Sequence, residues 1–128
     1  MRNDNAPNDA NMNTRKTGQH YEERAAAYLQ ERGYKIVGQN YRCRYGEIDI
    51  IAYHQGYLVF IEVKYRKNEG SGHAVAAVDF KKQKKISGVA RWYMMEKRFG
   101  EQTKCRFDVI GIGAKNISII ENAFDFIG

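Results

Sequence analysis

An α/β domain with a mixed sheet between flanking helices is the fold class this sequence predicts, and three observations predict it. Glu47 to Tyr53 and Tyr57 to Tyr65 are dense in Ile, Val, Phe and Tyr, residues that favour strands. Gly18 to Gly33 and Val75 to about Phe99 carry helix formers or apolar residues at helical spacing. The segments follow one another in the order α-β-β-β-α-β-β, so a long helix separates the first three strands from the last two.

Each element has a local reason. Residues 1 to 17 are polar and almost without aliphatic side chains, which predicts a disordered tail ahead of a domain spanning 18 to 128. A chain of 128 residues can build one core and one such domain. The first helix is rich in Glu, Arg and Ala, and Gly33 ends it. Tyr34 to Tyr41 reads as a short strand around Ile36 and Val37. The two strong strands flank His54-Gln55-Gly56, a tight turn. Lys67 to Gly72 holds Asn, Ser and two Gly and reads as a loop. After the long second helix, Phe107 to Ile112 and Ile117 to Ile120 form the last strands.

Composition excludes several classes. No apolar run approaches the roughly 18 residues a bilayer requires. The polar, Asn-rich start does not resemble a secretory leader, and a cytoplasmic protein without a membrane partner is expected. Cys43 and Cys105 are too few for a thiolate metal site, and a structural disulfide is not expected in that compartment. His20, His54 and His73 lack paired ligand spacing, and Gly70-Ser71-Gly72 lacks the Lys-Ser/Thr ending of a phosphate loop. No Ser or Cys nucleophile has a recognisable partner motif. The net charge is +6, and between Lys81 and Arg98 the residues Lys81, Lys82, Lys84, Lys85, Arg91, Lys97 and Arg98 stand against only Glu96. One segment thus holds as much excess charge as the whole chain, a distribution suited to a polyanion.

Charged residues inside the most apolar strands carry the chemistry. Tyr57 to Tyr65 is apolar on both faces, as a central strand is, until Glu62 and Lys64. By period two, those residues share the face of Leu58 and Phe60. An ionised group there must be paired, metal-bound or shifted in pKa. A two-residue turn at Gln55-Gly56 pairs His54 with Tyr57, and counting back sets Asp49 opposite Glu62 and Glu47 opposite Lys64. Opposed carboxylates repel unless a cation lies between them, and Mg²⁺ or Mn²⁺ suits such oxygens. A lone E-x-K is more often a structural ion pair, of Lys64 with Glu62 or with Glu47, and the phased Asp49 brings the two readings level.

The helices bring further candidates. Glu22 shares a stripe with Ala25, Ala26 and Leu29 that should face the sheet, although a Glu in a first turn also favours the helix dipole. In the second helix Val75, Val78, Lys82, Ile86, Val89 and Tyr93 form the apolar stripe, with Lys82 the intruder and Gln83 at its border. Lys82 either snorkels out, the commoner outcome, or points to the carboxylates. Lys81, Lys84 and Arg91 face solvent. Asp108 could support the site or bond to Arg106, and the structural role is favoured.

Gly46-Glu47-Ile48-Asp49 followed by Phe60-Ile61-Glu62-Val63-Lys64 resembles the signature of the PD-(D/E)xK nuclease superfamily. The chain resembles more closely the YraN family of uncharacterised bacterial proteins, related in fold to archaeal Holliday-junction resolvases. The likeness runs from Glu22 through Asn40 to Asp49, Glu62-Val63-Lys64 and Arg106 to Val109, about residues 18 to 112. It implies a single restriction-endonuclease-like domain, with Asp49 and Glu62 as metal ligands, Lys64 as the catalytic lysine and Glu22 as an accessory carboxylate. Ile48 replaces the Pro of the superfamily name, Tyr21 stands where Gly is usual, and Ala74 and Ala76 stand where Pro and Glu are usual. These departures touch substrate contacts more than the acidic set.

Two functions follow as expectations. The first is Mg²⁺- or Mn²⁺-dependent phosphodiester hydrolysis of nucleic acid, DNA rather than RNA and branched DNA by analogy, with a homodimer matching the symmetry of a junction. The second is a nucleic-acid-binding module that keeps the fold without turnover. Either would use Arg42, Arg44 and Tyr45 with Lys81, Lys82, Lys84 and Lys85 against the polyanion. Charges on Arg42 and Arg44 would equally protect an exposed sheet edge. A protein-binding scaffold is a third class, without a positive feature in the sequence.

Overall fold

The computed structural model describes residues 20–65 and 78–128. Five strands, β1 (Lys35–Cys43), β2 (Gly46–His54), β3 (Tyr57–Tyr65), β4 (Cys105–Ile112) and β5 (Ile117–Phe124), form one sheet in sequential order. β3 and β4 are parallel and every other pair is antiparallel. Helix α1 covers residues 20–31 and helix α2 Phe80–Glu96. The mixed sheet with two helices is the expected architecture, and the parallel β3–β4 pair is what the intervening helix makes possible. Among the described residues no helix is long and apolar enough to cross a membrane.

The helices cover opposite faces. Ile86, Val89, Ala90 and Tyr93 of α2 pack on Ile48, Ile51, Leu58, Phe60, Phe107 and Val109. Ala25 and Leu29 of α1 pack on Ile50, Ala52, Val59, Ile61, Ile110 and Ile112. β3 and β4 therefore lie between two apolar layers, which explains why their sequences show no polar face. Neighbouring strands each bury large aliphatic side chains on both sides, and such burial is worth roughly 1.5–3 kcal/mol per residue.

Turn chemistry fixes the register. Gln55 and Gly56 both have positive φ, 53° and 85°, the two-residue primed turn that matches strand twist. His54 pairs with Tyr57 and Ile50 with Ile61, as counted from the sequence. At the β1–β2 connection Gly46 adopts φ 143°, and a Cβ there would lie 3.4 Å from Val89 Cγ2. Glycine thus lets the start of β2 run directly beneath α2.

The structure corrects several expectations. α2 begins at Phe80, not Val75, because Asp79 is extended (φ −75°, ψ 175°) and its Oδ1 accepts from the Lys82 amide at 2.8 Å. It ends at Glu96, short of Phe99, where Arg98 takes a left-handed φ of 62°. β1 starts one residue later and runs two residues further than expected, and β5 extends to Phe124. The expected tail at 1–17, the loop at 67–72, His73, Ala74, Val75 and Ala76 lie outside the described residues.

Strand β2 also breaks the period of two. Ile48 and Ile51 face α2, whereas Ile50 and Ala52 face α1. The rotation is centred on Asp49, across from Asn40, whose φ of 53° is left-handed. A charged residue sits where the strand turns over.

Candidate functional site

The rotation at Asp49 has a direct consequence for pairing with β3. The next position after the Ile50–Ile61 pair would set Asp49 against Glu62. There the Val63 amide donates to Asp49 Oδ2 at 2.8 Å, so a side chain takes a bond that a ladder would give to the backbone. Asp49 is held by the main chain of the strand that carries Glu62.

Glu62, 8% exposed, faces α2 beside Phe60. Its Oε2 lies 3.4 Å from Lys64 Nζ and 3.6 Å from Lys82 Nζ. Of the two outcomes open to Lys82, the structure gives the ion pair: the ammonium points to the carboxylate. Glu47 is not matched with Lys64 but bonds Arg42 Nε at 3.0 Å near the surface. The splaying of β2 from β3 at Asp49 removes Glu47 from the predicted opposition. Gln83 donates to the Val78 carbonyl at 2.9 Å, which ties it to the start of α2 and away from the carboxylates.

Gly46, Glu47, Asp49, Glu62, Lys82, Lys85 and Ile86 line one cleft of about 320 Å³. Burial, then the charge of Glu62, pushes the Asp49 carboxyl up to about 7; the Val63 hydrogen bond opposes this, and Glu22 and Glu47 add smaller upward pushes. Glu22 is half-buried on α1 and acts on Asp49 through its charge. Its neighbour Tyr21 stacks on Tyr65 with ring centroids 4.1 Å apart, pinning the first turn of α1 to the end of β3. Tyr21, one of the departures from the resembled pattern, therefore has a packing role.

The donor set fits a hard divalent cation. Asp49 and Glu62 offer carboxylate oxygens, and their mutual repulsion is the charge a dication would neutralise. Among the described residues no group of three or more His, Cys, Asp or Glu side chains forms a cage. Two carboxylates suit an ion such as Mg²⁺ that keeps several waters and takes further oxygens from a phosphate.

The expected nucleic-acid contacts fall into three places. Lys82 and Lys85 line the carboxylate cleft. Tyr45 and Lys84 line a neighbouring groove with Gly88, Arg91, Trp92 and Met95. Arg42 and Arg44 stand at the β1–β2 connection, with the Arg44 guanidinium 5.6 Å from the Tyr45 ring centre, and Lys81 is exposed on α2. Trp92, Gly88 and Met95 were not among the predicted site residues. The signal was present: Lys84, Gly88, Arg91, Trp92 and Met95 recur on the side of α2 opposite its core stripe.

Asp108 takes the favoured structural role, on the α1 face. Arg106 Nε and Nη2 donate to its two oxygens at 2.9 and 2.8 Å, Tyr34 Oη donates at 2.7 Å, and the Asn122 amide at 2.9 Å. His54, read from sequence as a turn residue, stacks on Tyr34 at 3.8 Å, and its Nδ1 lies 2.8 Å from Arg106 Nη2. That contact requires Nδ1 to be the acceptor, because guanidinium can only donate.

Comparison with known proteins gives one family. The model of the Uncharacterised protein family UPF0102 matches residues 21–112. A UPF0102 protein of Lachnoclostridium phytofermentans is 48% identical over 117 residues, 91% of this chain and 99% of its own. One from Syntrophus aciditrophicus is 44% identical over 86% of this chain and 89% of its own, and one from Psychromonas ingrahamii 45% identical over 80% and 84%.

Proposed function

Since the chain belongs to the uncharacterised protein family UPF0102, we propose from its own residues that it is a divalent-metal-dependent endonuclease of the cytoplasm acting on DNA. The observation that carries this reading is one cleft in which carboxylates from adjacent strands, Asp49 and Glu62, meet Lys82 and Lys85 of α2, with Lys64 of β3 paired to Glu62. Buried acid pairs are costly unless a ligand relieves them, and lysines lining the same cleft suit a phosphate as the second ligand.

Asp49 and Glu62 would hold the cation, most simply Mg²⁺ or Mn²⁺. When bound it supplies Lewis acidity toward the scissile phosphate and an attacking water. Lys64 stands beside Glu62 and is placed to donate to the nucleophile or to a phosphate oxygen as charge develops there. Lys82 shares the carboxylate of Glu62 and, with Lys85, attracts the backbone phosphates. Glu22 adds negative potential from α1, favouring cation entry. Branched DNA, the substrate class the nuclease resemblance implies, suits two copies of the chain acting on symmetric strands.

A second reading has an observation of its own: Lys64 and Lys82 already neutralise Glu62. On that reading the surface binds nucleic acid without turnover. Chelation separates the two. In EDTA cleavage is expected to cease while DNA affinity persists, and restoring Mg²⁺ restores cleavage. Cleavage that continues in EDTA would overturn the metal-dependent reading, and an absence of cleavage under every metal condition would leave the binding module.

A further inference from the structure

Helix α2 presents two faces, and only one of them enters the core. Ile86, Val89, Ala90 and Tyr93 enter the core. On the opposite face Lys84, Gly88, Arg91, Trp92 and Met95, with Tyr45 from the β1–β2 connection, line a groove of about 540 Å³. Its aromatic and thioether surface is open: Tyr45 is 49% exposed and Met95 62%. Tyr45 meets Trp92 edge to face, with centroids 5.7 Å apart. Among the described residues no carboxylate lines the groove, whereas Lys84 and Arg91 do. Arg91 is positioned in advance, donating to the Ile127 carbonyl at 2.9 Å with its guanidinium 5.3 Å from the Phe126 ring centre.

Gly88 supplies an independent observation. It sits in the interior of α2, where glycine weakens a helix relative to alanine. Its φ is not left-handed, and a Cβ there would meet only Tyr45 Cβ, at an ordinary 4.0 Å. Neither backbone nor packing requires a glycine. What its missing side chain provides is an open floor beneath Tyr45 and Trp92.

We propose that this groove seats an unpaired nucleotide of the nucleic-acid substrate, its base against Tyr45 and Trp92 and its phosphates on Lys84 and Arg91. The inference deepens the nuclease reading and rests on it for the identity of the polyanion. Aromatic surface without acidic neighbours offers stacking to any base, and the flanking cations offer charge to its phosphates. Bases within a duplex are already stacked and have no free face to give. Position completes the argument: Tyr45 adjoins Gly46 and Lys84 adjoins Lys85, and Gly46 and Lys85 line the carboxylate cleft. A strand can therefore pass from one site directly into the other. The substrate class is nucleic acid with unpaired residues beside the scissile phosphate.

Trp92 is the chain's single tryptophan, so its fluorescence reports this groove alone. The full chain, in EDTA, is titrated with a short oligothymidylate and with a blunt duplex of equal length. The single strand is expected to quench Trp92 and to bind about tenfold or more tightly than the duplex. Tyr45→Ala should weaken single-strand binding by about 5- to 150-fold, the range of one lost stacking contact. Gly88→Leu keeps every charge, fills the floor and should weaken binding comparably, with a melting temperature no lower than that of the wild type. Equal affinity for the duplex, binding unchanged in both variants, or no quenching by either nucleic acid would each overturn the proposal. Because nothing is cut in EDTA, quenching by a protein that never cleaves upholds the groove and removes the nuclease. Metal-dependent cleavage without quenching does the reverse.

Discussion

At pH 8 the Asp49→Asn variant is expected to be more stable than the wild type, by about 2–4 kcal/mol, and at pH 4 the difference should vanish. Burial and the charge of Glu62 raise the folded-state pKa of Asp49 from 3.8 to about 7. The folded chain therefore holds this proton more tightly than the unfolded chain. The associated stability is fully present below about pH 4 and is lost as pH rises toward 7. Above that, the ionised carboxylate remains as a standing cost. Asparagine removes the charge and still offers an oxygen to the Val63 amide. Mg²⁺ should raise the melting temperature of the wild type at pH 8 and leave the variant unmoved, since a ligand stabilises only the state that binds it. Denaturant melts at both pH values check the result, and a variant less stable than wild type at pH 8 would contradict it.

Asp108→Ala should have the opposite sign and a similar size. Asp108 is 1% exposed and accepts four hydrogen bonds, two of them from Arg106, itself 7% exposed. Removing the carboxylate leaves a buried guanidinium with only the exposed Glu121 carboxylate 3.9 Å away, and breaking a buried pair costs about 3–5 kcal/mol in comparable cases. Against a total of roughly 5–15 kcal/mol for a domain, the loss is large. Tyr34 and the Asn122 amide lose their acceptor as well. Adding Arg106→Met should recover part of the loss by deleting a buried charge that has lost its nearest partner. Urea midpoints measure both, and a single-variant cost below about 1 kcal/mol would show that water reaches the pair.

Local chemistry made part of this legible in the sequence. Strand Tyr57–Tyr65 was readable at both ends because aromatic and β-branched density stops where Gly56 and the charged segment begin. The register of β2 on β3 followed from Gln55-Gly56, since X-Gly favours a two-residue primed turn over a three-residue loop that would shift it. That register sets Asp49 toward Glu62, and the two residues line one cleft. The start of α2 was misread because apolar periodicity at Val75 and Val78 continues the helix stripe backward past the cap at Asp79. The rotation of β2 at Asp49 left no trace in Ile48-Asp49-Ile50-Ile51, because isoleucine suits either face. The His54–Arg106–Asp108–Tyr34 network joins residues as many as 74 positions apart, and its pairings appear only once the strands are adjacent. Trp92 is less legible for a different reason: its stripe recurs at helical spacing but mixes glycine, cations and aromatics, so no uniform hydropathy marks it.

Cleavage is the most direct test of the central claim that Asp49, Glu62 and Lys64 form a metal-dependent phosphodiesterase site. A labelled four-way junction and a sequence-matched linear duplex are incubated with the full chain and Mg²⁺ or Mn²⁺, beside Glu62→Ala. The account predicts cleavage by the wild type and none by a Glu62→Ala protein that is folded and still binds the DNA. Equal cleavage by both proteins, or binding without cleavage by the wild type under every metal condition, would contradict it.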